Sequence, residues 1–145
     1  MGRGNGQELG RSAMILLDTQ VLIWLRSGNS RLGSQAGNAI ELSWASGEVA
    51  VSAISFWEVA MLQDKKRLNL LQDIGNWRKS LMEEGLVEIA VDGEIGIRSV
   101  NLADFHGDPA DRIIVATALG GHQLVTADGK ILGWPGPLNR LDARK

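Results

Sequence analysis

The sequence predicts an α/β fold built around a parallel sheet, in a single domain, and three observations carry that expectation. Met14-Ile15-Leu16-Leu17 is an apolar run without alternation, the pattern of a strand covered on both faces, and it stops at Asp18. Strand-like and helix-like segments then alternate along the chain, an order that right-handed crossovers turn into a parallel sheet with all strand C-termini on one edge. At 145 residues the chain is long enough for one domain with a real core and too short for two ordinary ones.

The elements follow in order. Residues 1 to 13 are rich in glycine and polar residues and lack periodicity, so they are expected to form a disordered leader, with Met14 the functional start. Position 6 is Gly6, so the leader lacks the Ser or Thr of a myristoylation signal. The strand from Met14 to Leu17 passes through Asp18 into a helix with apolar residues at helical spacing from Val21 to Leu25. Ser27 to Ser30 is a turn, and Leu32 to Trp44 is a helix ending near Gly47. Glu48 to Val51 is a short β-branched strand, followed by an apolar helix from Ser52 to Leu62 that carries one acid, Glu58. Ser55-x-x-Glu58 fits a capping box, so Glu58 has a structural reading beside a functional one.

Lys65-Lys66-Arg67 is a basic run, either a solvated face or a phosphate contact. Ile74 to Met82 predicts an amphipathic helix closed by Gly85, Leu86 to Val91 a third strand, and Glu94 to Val100 a short helix before a loop over 102–107. Asp108-Pro109-Ala110-Asp111 opens the next helix with a capping Asp and proline in the first helical position, and Gly120-Gly121 closes it. Gln123 to Ala127 is a strand running into Asp128 and a turn, which repeats the placement of Asp18. From Gly133, with Pro135 and Pro137, the tail reads as irregular.

Composition excludes several chemistries. There is no cysteine, so disulfides, thiolate metal sites and cysteine nucleophiles are out, and the chain suits a reducing cytoplasm. Only His106 and His122 supply imidazole nitrogen, so any metal is held mainly by oxygen, which favours magnesium or manganese over zinc. The net charge of −2 argues against a broad basic surface for nucleic acid but not against contact through metal ions. No apolar run is long enough to span a bilayer, so no membrane association is expected.

The parallel order brings Asp18, Glu58, Asp111 and Asp128 to one sheet edge, where open α/β folds bind ligands. Four carboxylates in one crevice raise each other's pKa, and a divalent cation removes that conflict. Such a cation orients a water, lowers its pKa and stabilises a phosphate transition state, so the chemistry implied is metal-assisted phosphodiester hydrolysis.

Four blocks now carry a resemblance: Leu16-Leu17-Asp18-Thr19, the stretch from Val51 to Glu58, the stretch from Asp108 to Ala118, and Leu124-Val125-Thr126-Ala127-Asp128. Together they resemble the PIN-domain ribonucleases, and within them the VapC-type toxins of toxin–antitoxin pairs. The similarity runs from Met14 to about Leu132, with the blocks in family order; the polar leader is a departure, since such toxins begin almost at the first strand. The resemblance implies a PIN-like three-layer α/β/α domain over 14–145, a magnesium- or manganese-dependent endoribonuclease acting on RNA, a cognate antitoxin as inhibitor, and a homodimer. It assigns the catalytic and metal-binding acids to Asp18, Glu58, Asp111 and Asp128, with Thr126 as a supporting hydroxyl and Asp108 as cap and supporting acid. Phe56, Trp57 and Met61 are expected to flank an apolar groove for the antitoxin, or else to be plain core.

Other classes stay in view. Asp18 as a covalent phosphoacceptor would resemble phosphatases with Asp-x-Asp at the first strand end, but Gln20 stands in the third position. A non-catalytic binding protein is a further alternative, and so is a PIN nuclease that processes RNA without a toxin role. A chain that starts at Met14 is expected to keep its melting temperature in a thermal unfolding scan, and a large fall would show that the leader packs on the core.

Overall fold

The computed structural model describes residues 13–145, so the expected leader lies, but for Ala13, outside the described residues. A five-stranded sheet forms the centre, and every pairing in it is parallel. Its strands are β1 (Ile15–Leu17), β2 (Val49–Ser52), β3 (Val87–Ile89), β4 (Gln123–Thr126) and β5 (Arg140–Asp142), in the order β3-β2-β1-β4-β5. The connecting helices are α1 (Thr19–Ser27) and α2 (Ser34–Ala45), then α3 (Ala53–Asp64) and α4 (Ile74–Glu83), then α5 (Gly93–Val100), α6 (Pro109–Ala118) and α7 (Gly129–Leu132). Among the described residues no helix is long and apolar enough to cross a membrane.

The unalternated apolar strand predicted at the start is the middle of the sheet. Ile15, Leu17, Val49, Val51 and Val125 point to one face and pack with Val21, Leu22, Ile40, Val59 and Leu81 of α1 to α4. Leu16, Ala50 and Leu124 point to the other and pack with Ile95 of α5, Ile114 and Val115 of α6, and Ile131 of α7. Successive side chains of a strand face opposite ways, so a strand sandwiched between helix layers must be apolar at every position. The fold is therefore the three-layer α/β/α arrangement expected.

Two expectations need correction. The tail is not irregular throughout: Arg140–Asp142 is the edge strand β5, registered with Leu124↔Arg140 and Thr126↔Asp142. It is half-buried, short and charged, which suits an edge and hides it from a search for apolar runs. The capping box at Ser55 and Glu58 does not form either. Ser52, at the end of β2, is the N-cap, and its hydroxyl accepts from Ile54 N at 3.2 Å. Glu58 thus sits a full turn inside α3, free for other partners.

The loop before α6 is held by two side chains. Arg112 donates to Ser99 O (2.9 Å), Phe105 O (2.6 Å), Val100 O (3.3 Å) and Leu102 O (3.3 Å), and its guanidinium lies 5.9 Å from the centre of the Phe105 ring. Trp134 Nε1 donates to Ala103 O at 2.8 Å, and its ring meets Phe105 edge-on at 5.8 Å. The chain approaches so closely at Gly107 that a Cβ there would fall 2.5 Å from Phe105 Cε2 and 2.9 Å from Asp111 Cβ. Arg112→Met is expected to lower stability by about 3 kcal/mol, since carbonyls lose a charged donor and the ring its cation. Arg112→Lys recovers only part of this, because one ammonium cannot serve four carbonyls as a fork does. The midpoint of urea unfolding measures both.

Candidate functional site

Parallel pairing of β1 with β4 and β2 sets the geometry: Leu17 stands opposite Val125, and Asp18 N donates to Val125 O at 3.0 Å. Asp18 is consequently the first residue past the central strand and is only 7% exposed. Its Oδ1 accepts from Thr19 N at 2.8 Å, so it does cap α1, and its Oδ2 accepts from the Thr126 hydroxyl at 2.7 Å. Thr126 Oγ1 accepts in turn from Asp128 N at 3.0 Å. One hydroxyl at the end of β4 therefore positions both the first acid and the backbone of the last.

The remaining acids reach the same place from the helices. Thr19, the first residue of α1, donates its hydroxyl to Glu58 Oε1 and is also hydrogen-bonded to Ser55 Oγ at 2.8 Å. Asp108 caps α6 by accepting from Asp111 N at 2.8 Å, which places Asp111 in the first turn. Asp128 opens not a turn but the short helix α7, accepting from Lys130 N at 2.8 Å. A cavity of about 370 Å³ is lined by Asp18, Glu58, Asp111 and Asp128, so the predicted quartet does come together. Asp108 and Thr126 are not in its lining; Thr126 acts from beneath, through Asp18.

The charges interact as their proximity requires. Burial pushes the Asp18 carboxyl above its usual value; the Thr126 and Thr19 hydrogen bonds pull it down, and the charges of Asp128 and Asp108 push it up further. Glu58 is raised first by burial and then by Asp18 and Asp108, against the pull of the Thr19 hydroxyl. Asp111 is pushed up to about 7, by burial and by Asp108, Asp18, Asp128 and Glu58 in turn. No salt bridge relieves any of these acids among the described residues.

The donor set suits a hard cation in kind, since every group is a carboxylate or hydroxyl oxygen. Among the described residues no group of three or more His, Asp or Glu side chains is arranged to hold a metal ion by protein ligands alone.

Sequence reasoning missed Thr19 and Ser55 as partners of Glu58. Thr19 carries no local signal beyond following Asp18, and Ser55 fits a capping box in the sequence that hides this partnership. It also missed Arg31 and Arg144, which line the cavity from a loop and from the tail and carry no local signal. Lys65, Lys66 and Arg67 are exposed at the end of α3 and lie outside the cavity lining. Phe56 is core, 8% exposed and edge-on to Trp77, whereas Trp57 is 55% exposed.

An acid whose pKa is raised on folding binds more protons folded than unfolded between the two values, so stability falls as pH rises through that window. For Asp111 the window runs from the ordinary aspartate value of 3.8 to about 7, and Asp18 and Glu58 act with the same sign. The melting temperature of protein kept in chelator is therefore expected to drop between about pH 4 and pH 7. Asp111→Asn should flatten that slope, and a slope unchanged by the substitution would show that folding does not raise the Asp111 carboxyl.

Residues 15–132 match the family model of the PIN domain. Ribonuclease VapC22 of Mycobacterium tuberculosis is 36% identical over 119 residues, which are 81% of this chain and 88% of that protein. Among solved structures, a toxin–antitoxin complex from Klebsiella pneumoniae matches with a TM-score of 0.61 and 26% identity, covering 91% of this chain and 98% of that one. VapBC2 from Rickettsia felis, bound to a DNA fragment from its promoter, matches with a TM-score of 0.62, covering 88% of this chain and 97% of that one. At 16% identity, this last likeness speaks for the fold alone. A family-model match over residues 15–132, together with a relative of this identity and coverage, makes the chain a member of the PIN-domain family.

Proposed function

We propose that the chain is a magnesium- or manganese-dependent endoribonuclease, the toxin of a toxin–antitoxin pair, which hydrolyses RNA phosphodiester bonds and is neutralised by a cognate antitoxin. The observation that carries this reading is the cavity lined by Asp18, Glu58, Asp111 and Asp128, in which burial and mutual repulsion raise three of those acids. The 36% identity to a protein named a ribonuclease supports RNA as substrate, and the match to a toxin–antitoxin complex supports the antitoxin. Asp18, Glu58, Asp111 and Asp128 are the residues proposed to hold the cation. When bound, it supplies Lewis-acid stabilisation of the phosphoryl oxygens and a water acidic enough to attack near neutral pH.

The chain's own groups then have separate tasks. Thr126 fixes the Asp18 carboxylate and the start of α7 together, and Thr19 with Ser55 holds Glu58. Asp111, pushed up to about 7, is partly protonated near neutral pH in the cation-free protein and would have to give up that proton to serve as a ligand, so cation binding is expected to be tighter at higher pH. Substrate phosphate enters the open side of the cavity, where Arg31 and Arg144 offset part of the negative charge. The antitoxin's site is proposed beside the cavity, in a groove lined by Leu68, Leu70, Leu71 and Trp77 that adjoins it through Ile23. Leu71 is fully exposed there and gives an amphipathic segment an apolar anchor. Pairing of two copies belongs to the same proposal, as does action in the cytoplasm. The exposed Ile97 and Val100 of α5 are an apolar surface that such pairing would cover.

Total cellular RNA incubated with the protein and magnesium or manganese is expected to be cut at defined ends, and chelator should stop it. Intact RNA after long incubation with antitoxin-free protein would favour a non-catalytic binder, and unchanged growth on induction would favour RNA processing without a toxin role. Asp18→Asn should lower cleavage more than about 100-fold, the upper range for changes that only disorient a metal ligand, while leaving the fold as stable or more so. Asn keeps an oxygen for Thr19 N, and its amide can donate to Thr126 Oγ1. Thr126→Val should cost about 10- to 100-fold by releasing Asp18. Near wild-type cleavage by Asp18→Asn, with its cation-induced thermal shift intact, would sink the mechanism.

A further inference from the structure

We infer that Arg31 and Arg144 form a phosphate clamp, gripping a backbone phosphate of single-stranded RNA beside the phosphodiester held at the acids. The inference rests on the nuclease reading above and adds a substrate-binding site to it. Arg31 and Arg144 both line the cavity that Asp18, Glu58, Asp111 and Asp128 line, yet neither takes part in an ion pair among the described residues. Arg144 is held by other partners: its Nη1 donates to Ala127 O at 2.7 Å, and its guanidinium lies 5.9 Å from the centre of the Trp24 ring. The Arg31 side chain makes no hydrogen bond among the described residues.

The backbone brings these two arginines together. Ala143 N donates to Thr126 O (2.8 Å), Gly33 N to Ala143 O (2.8 Å), and Gln35 N to Lys145 O (3.1 Å), so the tail is stitched between the end of β4 and the start of α2. Only glycine fits at the crossing, since a Cβ on Gly33 would fall 2.2 Å from the carbonyl carbon of Lys145. Arg31 lies just before that crossing and Arg144 within it. Trp24 also lines the cavity, and its Nε1–H is buried with no acceptor among the described residues. Guanidinium forks match phosphate oxygens bidentately, and a nucleic acid strand offers a second phosphate next to the one being cut.

The test uses a fluorescein-labelled single-stranded oligoribonucleotide, with anisotropy read across a salt series in calcium buffer and its intactness checked on a gel. Each phosphate contact on a single strand contributes about 0.7 to the slope of log affinity against log salt. Arg31→Gln and Arg144→Gln are each expected to lower that slope by about 0.7 and to raise KM for cleavage with little change in kcat. Arg144→Lys should restore the slope, because it keeps the charge, while losing the fork. The thermal shift produced by manganese should persist in all three variants, since the acids are untouched. If Arg144→Gln melts early from loss of its bonds to Ala127 and Trp24, Arg31→Gln decides, because its side chain holds nothing in place. Unchanged slope and KM in Arg31→Gln, with wild-type protein cleaving RNA, overturn the clamp and spare the nuclease reading. Wild-type protein that binds the oligonucleotide with arginine-dependent slope but never cleaves with magnesium or manganese overturns the nuclease reading and spares the clamp.

Discussion

Asp18 is 7% exposed at the end of the central strand, and its oxygens are hydrogen-bonded to neutral donors, the Thr19 N–H and the Thr126 hydroxyl. Removing an ionised carboxylate from water costs several kcal/mol after relaxation, roughly as much as the net stability of many domains. Two neutral hydrogen bonds offset part of that cost, and the raised pKa of Asp18 reports what is left over. The sheet therefore carries at its centre a group that is satisfied in geometry and unsatisfied in charge. Asp111, Glu58 and Asp128 deepen the imbalance rather than correct it, because they approach the same cavity with the same sign.

Such a centre is tolerated because the surrounding layers do not depend on it. The apolar faces of β1, β2 and β4 are covered on both sides, and the loop before α6 is fixed by Arg112 and Trp134 without help from any acid. Stability gathered there lets the strand ends hold carboxylates in a fixed, repulsive arrangement. A cation bound there would act on groups already in place, and its binding free energy would not be spent on ordering them.

The sequence made the interior more legible than the edges. Central strands must be apolar at every position, so Ile15 to Leu17 announced both a strand and its place in a parallel sheet. Arg140 to Asp142 is a strand by virtue of one neighbour, β4, and its half-exposed charged residues look like any tail. Among the cavity's acids, Asp18 and Asp128 were legible because each follows a strand and opens a helix, Asp111 because it stands in the first turn of a capped helix, and Glu58 because it is the one acid of an apolar helix that follows a strand. Thr19 and Ser55 were not, because the meeting of α1 with α3 that makes them partners of Glu58 is set by packing. Arg31 and Arg144 lie more than a hundred residues apart in sequence and are joined by a stitch at Gly33 that no local pattern encodes.

Weighing a helix cap against a site role treats the two as exclusive, and the acids here show why they are not. Asp18, Asp108 and Asp128 each cap a helix through Oδ1, which fixes the side chain, while Oδ2 is left to Thr126 in the first case and unbonded among the described residues in the other two. Capping is thus the means by which a short carboxylate is aimed. The helices contribute a second effect: the positive ends of α1 and α6 both face the acids that cap them, and each helix end stabilises a nearby anion by about 0.3 to 1 kcal/mol. That does not offset the cost at Asp111, which stands in the first turn of α6 and is still pushed up to about 7, by burial first and then by its acidic neighbours. What the helix ends cannot neutralise is the charge left for a divalent cation to compensate, and its size is set by how tightly Thr126 and the caps hold the carboxylates together.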